Sequence, residues 1–513
     1  MMAVARAPLL RGARVSSSAM LLPEYDDLDA LAMAQRVRDK SLSAEELLDA
    51  AIARIEARNP RLNAVVYTMF DRARARLSTL PDGPLRGVPF LVKDLKLQIA
   101  GTPTTNSTRL SMTRIADGTS VLAARYEAAG LQILGKTNTP EFGIMGVTEP
   151  AVRGACRNPW NAEHTPGGSS GGSASAVAAR MVPIAHGGDG GGSIRIPASA
   201  CGLFGLKPTR GRVTMAPFAG EAWGGFVQEH VLARSVRDSA SLLDIADPPT
   251  PAEPYGVPTK ARPWLDEVSA SPGKLRIAFT RETLYAGKTH PDCVAAVEDA
   301  VALLRELGHE VTEASPSFPR EDMVRAYFLT VATGVARFVE MAAQEAGKKK
   351  PQPADFEPAT WLLALIAWKT SAPQLLAAQQ SMHRAGREVA GFFEEHDVFV
   401  TSTLAQPPAR VGELALTRAE RAQMAILTAL PLHKLLDIAL DKMGTGKLAY
   451  TPNTQLFNQT GQPAMSVPLF WNAQGLPIGT QFAARFGDEA TLFRLGAALE
   501  KARPWAHRKP ASI

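Results

Sequence analysis

The stretch "TPGGSSGGSASAVAARMVPIAHGGDGGGSIRIPASACG" occupies residues 165–202 of a chain of 513 residues. It is too rich in glycine for an ordinary core segment and too apolar for a flexible linker. Its pattern predicts a glycine–serine loop, a helix of small residues, a short strand and a second glycine-rich loop. Backbone amides and hydroxyl groups are therefore concentrated in two loops on either side of a helix and a strand.

The second loop carries Gly190, Gly191 and Gly192 directly before Ser193. Consecutive glycines let backbone N–H groups converge on one point, because no Cβ stands in the way. Such donors are what a developing oxyanion requires, and losing one typically costs about 3 kcal/mol in catalysis. A turn made only for close packing explains these residues equally well, so both interpretations stay open at this point.

The first loop places Ser169 and Ser170 between two glycine pairs. The predicted helix and strand between the loops allow both loops to meet at one end of a sheet. A serine nucleophile needs a base, and a lysine that burial keeps neutral can serve as one. Lys93 is the candidate because it follows the apolar run "VPFLV" at the end of a predicted strand. Lys96 competes with it, and a solvated surface lysine is the ordinary alternative.

Three other motifs do not support a function. "GLQILGKT" (130–137) matches a phosphate-binding P-loop, but the residues between its glycines predict a buried strand. "GSSGG" (168–172) has the nucleophile-elbow pattern around Ser170, but a polar loop precedes it where a strand is required. His186 is interpreted as a loop histidine bonded to nearby backbone, and no metal site or cofactor is predicted.

Composition and charge indicate which partners and which cellular compartment to expect. The net charge is +6, spread over a chain without a basic run or interleaved aromatic residues, so we expect no nucleic acid partner. The longest apolar run, "WLLALIAW" (361–368), is too short to span a membrane. The three cysteines fit no disulfide framework or metal clip, which indicates a reducing compartment and predicts a cytoplasmic protein.

Strands and helices alternate along the chain, which predicts an α/β fold with a mixed sheet. Residues 274–314 are typical of a βαβ unit, and residues 320–445 are predicted to be mainly helical. The first 24 residues have arginines and serines but few acids, and we expect them to be a disordered extension.

Five segments together resemble one known family. They are "GVPFLVKDLKLQIAG" (87–101), "GKTNTPEFG" (135–143), "GGSSGGSASAVAA" (167–179), "DGGGSIRIPASACGLFGLKPTRGRV" (189–213) and "FNQTGQPAMSVPLF…GLPIGTQF" (457–482). In this order they resemble the amidase signature family, from about residue 25 to the C-terminus. The resemblance implies one domain over residues 25–513, with a large mixed, twisted β-sheet covered by helices on both faces. It also implies that the region of about 320–445 forms a variable helical part of the substrate pocket.

The family's Ser–cis-Ser–Lys triad maps onto three residues. Ser193 matches the nucleophile, Ser169 the bridging serine and Lys93 the base. The resemblance further implies a cis peptide between Gly168 and Ser169. The oxyanion hole falls on Gly190, Gly191 and Gly192, and the supporting positions are Gly168, Ser170, Asp189 and Arg195.

One position departs from the family pattern. Many members carry a β-branched residue after the loop aspartate, where this chain has Gly190, and a more flexible loop is expected unless its surroundings hold it. The variant loop resembles bacterial amidases of the aminohexanoate cyclic-dimer hydrolase type.

The function implied is hydrolysis of apolar or aryl amides through an acyl-enzyme, with esters and carbamates as further substrates. The alternative is the glutamine-hydrolysing subunit of a tRNA amidotransferase. The predicted partner is a small-molecule amide, and a homodimer is the assembly considered.

Overall fold

The computed structural model describes residues 22–247 and 250–511. Residues 1–21 of the predicted N-terminal extension lie outside this part of the chain. Residues Pro23–Asp26 form a 3-10 turn in which Tyr25 is buried.

Within these two ranges, eleven strands form one sheet. In chain order they are β1 (Val65–Thr68), β2 (Pro89–Lys93), β3 (Gln132–Thr137), β4 (Ile184–Asp189), β5 (Phe204–Lys207), β6 (Gln228–Ala233), β7 (Arg276–Phe279), β8 (Glu310–Glu313), β9 (Val398–Ser402), β10 (Ala464–Trp471) and β11 (Pro477–Ala484).

The helices surround this sheet. They are α1 (Ala30–Arg38), α2 (Ala44–Leu62), α3 (Phe70–Arg76), α4 (Val121–Ala128), α5 (Gly171–Ala178), α6 (Arg195–Cys201), α7 (Val236–Ala246), α8 (Trp264–Glu267), α9 (Pro291–Glu306), α10 (Arg320–Glu345), α11 (Pro358–Lys369), α12 (Ala372–Glu395), α13 (Arg418–Ala429), α14 (His433–Gly446), α15 (Gln455–Thr460) and α16 (Glu489–Ala502). Further short 3-10 turns lie at Leu77–Thr79, Arg109–Ser111, Glu141–Gly143, Pro353–Asp355 and Lys447–Ala449.

The sheet is mixed, as predicted. Its strand order is β1-β3-β2-β4-β6-β5-β10-β11-β9-β7-β8. The strand β2 pairs in parallel with β3 and β4, and β7 pairs in parallel with β8 and β9, whereas the central pairs from β4 to β11 are antiparallel. The βαβ unit predicted for residues 274–314 is therefore present as β7, α9 and β8.

Helices cover both faces of the sheet, because alternate strand residues belong to two different cores. Ile277 and Phe279 of β7 pack in the core that includes residues of α2, α7 and α16, whereas Ala278 packs in the core formed with α10, α11 and α12. This alternation follows from the two-residue period of a strand. The α/β fold with a large mixed sheet and helices on both faces is thus confirmed.

The helix α10 is long and apolar enough, by length and composition, to span a membrane. Its most apolar window is 61% buried, and its residues form much of the second core. A fully packed core helix meets the same criterion, and the contacts of α10 with α11 and α12 indicate that role here.

Local sequence signals locate most element boundaries. A capping box begins α2, since Ser43 Oγ accepts from the Glu46 N–H and Glu46 accepts from the Ser43 N–H. The segment that matched a P-loop is the buried strand β3. Three strands were not predicted from the sequence: β5, β6 and β9. The strand β9 lies inside the segment predicted to be mainly helical, and in the sheet it stands between β11 and β7.

We expect the aromatic packing of β2 to be a large contribution to stability. Phe90 is fully buried, with its ring centroid 5.0 Å from that of Tyr126. The substitution Phe90→Ala should lower the free energy of unfolding by about 3–5 kcal/mol, measured by urea denaturation. Tyr67→Ala, at a half-exposed position of β1, should cost about 1 kcal/mol or less; equal losses at the two positions would contradict this assignment of the core.

Candidate active site

Two neighbouring parallel strands bring the candidate residues together. Lys93 is the last residue of β2 and Asp189 the last residue of β4. Because parallel strands end at the same edge of a sheet, both side chains lie at one edge. The helix α5 begins at this edge, directly after Ser169 and Ser170.

The Lys93 amine contacts both serines of the first loop. Its Nζ lies 2.7 Å from Ser169 Oγ, 2.9 Å from Ser170 Oγ and 3.2 Å from the Gly188 carbonyl oxygen. Lys93 and the two serines are each at most 1% exposed. Among the described residues, no carboxylate lies within ion-pair distance of this amine. Sequence reasoning therefore located the lysine correctly as a buried residue, and the structure adds Ser170 as its second hydroxyl partner.

Burial lowers the pKa of Lys93 to about 7, because the charged ammonium loses its hydration. The negative charges of Glu229 and Asp189 oppose this effect, and the positive charge of Lys96 adds to it. A substantial fraction of the amine is then neutral near neutral pH, which a proton acceptor requires.

Ser193 differs from the other two serines in its exposure. It is partly exposed, whereas Ser169 and Ser170 are buried. The Ser170 N–H donates to the Ser193 carbonyl oxygen at 3.2 Å, which joins the two loops directly. Of Ser169, Ser170 and Ser193, the last is therefore the one that protein does not fully enclose.

The peptide bond between Gly168 and Ser169 is cis, the isomer that the family resemblance implies. A side chain at position 168 would not fit, because a Cβ there would lie 2.7 Å from backbone atoms of Val147. The loop before α5 thus depends on a glycine at this point.

The glycine loop offers a set of donors different from the one predicted. The Gly192 N–H donates to Asp189 Oδ1 at 2.7 Å, so it is already engaged. Within the described ranges, the N–H groups of Gly190, Gly191 and Ser193 donate to no protein acceptor. The free donors are therefore those of Gly190, Gly191 and Ser193, and Gly192 instead shapes the loop, with a φ of +118°.

Asp189 and Arg195 form a buried ion pair that supports the glycine loop. Arg195 Nη2 lies 2.9 Å from Asp189 Oδ1, and both side chains are fully buried. Although burial alone would raise the pKa of the Asp189 carboxyl, the Arg195 guanidinium and hydrogen bonds lower it below its usual range. Asn458 Nδ2 donates to Asp189 at 2.8 Å, and Arg195 Nη1 donates to Gln481 Oε1 at 2.7 Å.

Asn458 and Gln481 were not singled out from the sequence. Both lie inside the quoted segments "FNQTGQP" and "GLPIGTQF", which were the only available signal for them. They come from α15 and β11, far along the chain, so no local pattern relates them to the loop.

Aromatic side chains pack against the loop at Gly190, the position where the chain departs from the family pattern. A Cβ at this position would lie 2.8 Å from carbon atoms of the Trp223 ring. At Gly191 it would collide with the Tyr327 hydroxyl, and at Gly192 with the Thr454 side chain. Each glycine is thus covered by one side chain, so the expected flexibility is removed by close contacts rather than by a β-branched residue.

His186 is not the loop histidine that was expected. It lies within β4, fully buried, and its Nδ1 accepts from the Lys93 backbone N–H at 3.4 Å. Its Nε2 lies 3.0 Å from Glu229 Oε2. Since β4 and β6 pair with Gly188 opposite Glu229, this carboxylate lies beside the strand that leads into the glycine loop.

Comparisons with known proteins show the family of this chain. The model of the Amidase family matches residues 46–493. The chain belongs to the amidase family. This amidase is 37% identical over 492 residues to a 6-aminohexanoate-cyclic-dimer hydrolase of Paenarthrobacter ureafaciens, covering 94% of this chain and 96% of the relative.

Two solved structures extend the match. A 6-aminohexanoate cyclic dimer hydrolase complexed with substrate superposes with a TM-score of 0.87 at 36% identity, covering 95% of this chain and 99% of that one. A bacterial aryl acylamidase of the amidase signature family superposes with a TM-score of 0.82 at 26% identity, covering 93% and 97%. The protein is therefore a hydrolase of amide C–N bonds with the amidase-signature fold.

The Asp189–Arg195 pair should be essential for stability. The substitution Asp189→Asn removes the carboxylate and leaves the Arg195 guanidinium buried without a counter-charge. We expect the free energy of unfolding to fall by about 3–5 kcal/mol, measured by chemical denaturation. The control is Glu163→Gln, which breaks the exposed pair with Arg410 and should change this free energy by no more than about 0.5 kcal/mol. A loss at Asp189 as small as that of the control would mean that the pair does not support the loop.

Proposed function

We propose that this amidase cleaves apolar or aryl amides through an acyl-enzyme formed on Ser193. The observation that carries the proposal is the buried Lys93 amine, which contacts Ser169 Oγ at 2.7 Å beside the partly exposed Ser193. A buried, unpaired amine next to hydroxyl groups is suited to accept a proton rather than to form an ion pair.

In the first half-reaction, neutral Lys93 accepts the proton of Ser169, and Ser169 accepts that of Ser193. The Ser193 oxygen attacks the amide carbonyl carbon, and the negative charge that develops on the carbonyl oxygen is stabilised by the N–H groups of Gly190, Gly191 and Ser193. Ser169 then passes its proton to the leaving nitrogen, which departs as an amine, and recovers a proton from the Lys93 ammonium, so that the lysine is neutral again. In the second half-reaction, water attacks the ester on Ser193 by the same route and releases the acid.

Ser170 and the Asp189–Arg195 pair support this relay without taking part in it. Ser170 Oγ donates to the Gly188 carbonyl at 3.2 Å and accepts from Lys93, which fixes the amine between two hydroxyls. Asp189 holds the Gly192 N–H, and this contact turns the neighbouring N–H groups toward the site.

The preference for apolar or aryl amides is supported by the surroundings. Phe142 precedes Gly143, where an added Cβ would lie 3.1 Å from Ser169 Oγ. The centroid of the Phe142 ring lies 6.0 Å from that of Phe338. The names of the relatives, a cyclic amide hydrolase and an aryl acylamidase, fit the same substrate class. Esters and carbamates present a similar carbonyl, so we include them as further substrates.

The cellular setting is also proposed. Cys156, Cys201 and Cys293 are free and buried, which fits a reducing compartment and supports a cytoplasmic location. A homodimer remains a prediction that light scattering of the purified protein can check.

Replacing Ser193 tests the nucleophile. A panel of anilides, linear amides, cyclic amides, carbamates and glutamine is assayed with the wild type and with Ser193→Ala. We expect the wild type to hydrolyse anilides or cyclic amides, and the variant to lose about 10⁴-fold or more in kcat. The matched control is Ser175→Ala, because the hydroxyl of this buried serine of α5 donates to the Arg157 carbonyl oxygen at 2.8 Å. Unchanged hydrolysis in Ser193→Ala would overturn the assignment, and exclusive turnover of glutamine would favour the amidotransferase alternative.

We expect the protonation state of Lys93 to determine how kcat/KM depends on pH. Because the neutral amine is the active form and burial lowers the pKa of Lys93 to about 7, kcat/KM should rise with pH through about 7 and then level off. Lys93→Ala should lose about 10²- to 10⁴-fold in kcat/KM and its dependence on a group of this pKa. Lys93→Arg should be equally inactive at every pH, since a guanidinium does not release its proton in proteins. An unshifted acid limb in an active Lys93→Ala enzyme would show that another base operates.

A further inference from the structure

A cavity of about 160 Å³ borders the proposed active site. We call it the Lys96 cavity, after one of the two basic residues that line it, the other being Arg114. Its apolar walls come from Leu122, Phe142, Phe218, Phe338, Met341 and Ala342. A dry cavity of similar volume holds a molecule of benzene, so the space suits an aryl ring or a short aliphatic chain.

Two residues of the cavity wall also border the reactive groups. Phe142 is followed by Gly143, where an added Cβ would lie 3.1 Å from Ser169 Oγ. Glu229 lies against Gly188, whose carbonyl oxygen accepts from Lys93. A substrate whose amide carbonyl sits at Ser193 can therefore extend one of its substituents into this cavity.

Lys96 is turned into the cavity by its backbone. Its φ is +60°, and its N–H donates to Asn106 Oδ1 at 3.1 Å, which fixes the turn after β2. The Nζ atom lies 4.4 Å from the centroid of the Phe338 ring and 5.9 Å from that of Trp223. The ring faces attract the cation but neutralise no charge.

The Lys96 ammonium has no close anionic partner. Across residues 22–247 and 250–511, no carboxylate lies within ion-pair distance of its Nζ and no acceptor is hydrogen-bonded to it. Burial lowers its pKa to about 8, against the more distant charge of Glu229, and the ammonium is still the main form at neutral pH. Because Lys96 is partly exposed, a ligand can reach the ammonium, and a ligand carboxylate would give it the anionic partner that the described protein residues do not supply.

The acidic residues of the cavity are already engaged. Glu345 pairs with Arg114 at 3.1 Å, and Glu221 accepts from the Tyr255 hydroxyl. Glu229 lies 3.0 Å from His186 Nε2. Of the charged groups that line the cavity, Lys96 is thus the one left for an anionic ligand.

We propose that Lys96 binds a carboxylate of the substrate, so that the enzyme prefers amides whose cavity-side substituent ends in a carboxylate. This inference rests on the proposed function, because it names the substrate class of the same site. The substituent's methylenes or ring pack against the aromatic walls while its carboxylate accepts from the ammonium, which is stronger than a bond between neutral groups. A substituent that ends in an ammonium would be repelled by Lys96.

The test compares amides that differ only at the far end. Alkanedioic acid monoanilides of increasing chain length carry the carboxylate on the acyl side, and anilides of aminobenzoic acids carry it on the amine side. Each is matched with a carboxamide and with an ammonium analogue of the same length. For the wild type we expect kcat/KM to be about 10- to 100-fold higher for one carboxylate substrate than for its carboxamide, which is what one hydrogen bond to a charged group contributes. The ammonium analogue should be the poorest of the three.

The variants Lys96→Met and Lys96→Gln should bring the carboxylate-to-carboxamide ratio close to one. Because the ratio is taken within one enzyme preparation, partial misfolding cancels from it. Lys274→Met, at an exposed lysine before β7, should keep the wild-type ratio. If neither variant is soluble, inhibition of the wild type decides: a phenylalkanoate should inhibit more strongly than its amide, and this advantage should decline as the pH rises through about 8.

A wild-type enzyme that shows no carboxylate preference on either side would overturn the proposal. So would Lys96 variants that keep the preference, or equal inhibition by acid and amide. These outcomes differ from failure of the proposed function, in which the neutral carboxamides are not hydrolysed at all or remain substrates of Ser193→Ala.

Discussion

The site depends on one amine that is buried without a counter-charge. Lys93 lies at the end of β2 with two serine hydroxyls and one carbonyl oxygen around it, and none of the carboxylates in the described part of the chain lies within ion-pair distance of its amine. A salt bridge at this point would raise the pKa of the amine and remove its use as a base, whereas solvent would leave it protonated at neutral pH. The strand explains how the amine is kept dry, because every residue of β2 is buried and neighbouring strands flank it on both sides.

The glycine loop has the opposite requirement to Lys93. Its N–H groups must be accessible to a substrate, whereas the lysine amine must be buried. Asp189 and Arg195 form a neutral pair in the interior, and hydrogen bonds from Asn458 and to Gln481 connect that pair to α15 and β11. The carboxylate takes the Gly192 N–H, and the side chains of Trp223 and Tyr327 occupy the space where side chains at Gly190 and Gly191 would stand. The loop is therefore held rigid by its surroundings, which suits donors that must be in place before charge develops.

Sequence reasoning could reach the parts of this arrangement that local chemistry determines. Short segments of sequence are enough to indicate the capping box of α2, the buried strand β3 and the glycine–serine loops. The family resemblance related Ser169, Ser193 and Lys93 to one another as a set. It could not reach contacts between distant segments: Asn458 and Gln481 at the ion pair, Trp223 over Gly190, or the Gly192 N–H bound by Asp189. The strand β9 was missed because "VFVTS" is short and lies between long helical segments, although its β-branched and aromatic residues fit a strand.

Lys93 and Lys96 lie in different environments although they are three residues apart, because the chain turns between them. Lys93 ends β2 and faces the serines, whereas the positive φ of Lys96 directs its side chain to the aromatic cavity on the other side of Glu229. The negative charge of Glu229 raises the pKa of both amines against the effect of burial. The Oε2 atom of Glu229 also lies next to His186 Nε2. The two cations also lower each other's tendency to be charged at the same time. A substrate carboxylate at Lys96 would offset that repulsion and make the charged form of Lys93 less unfavourable, so the charge of the bound substituent would be coupled to the protonation of the proposed base.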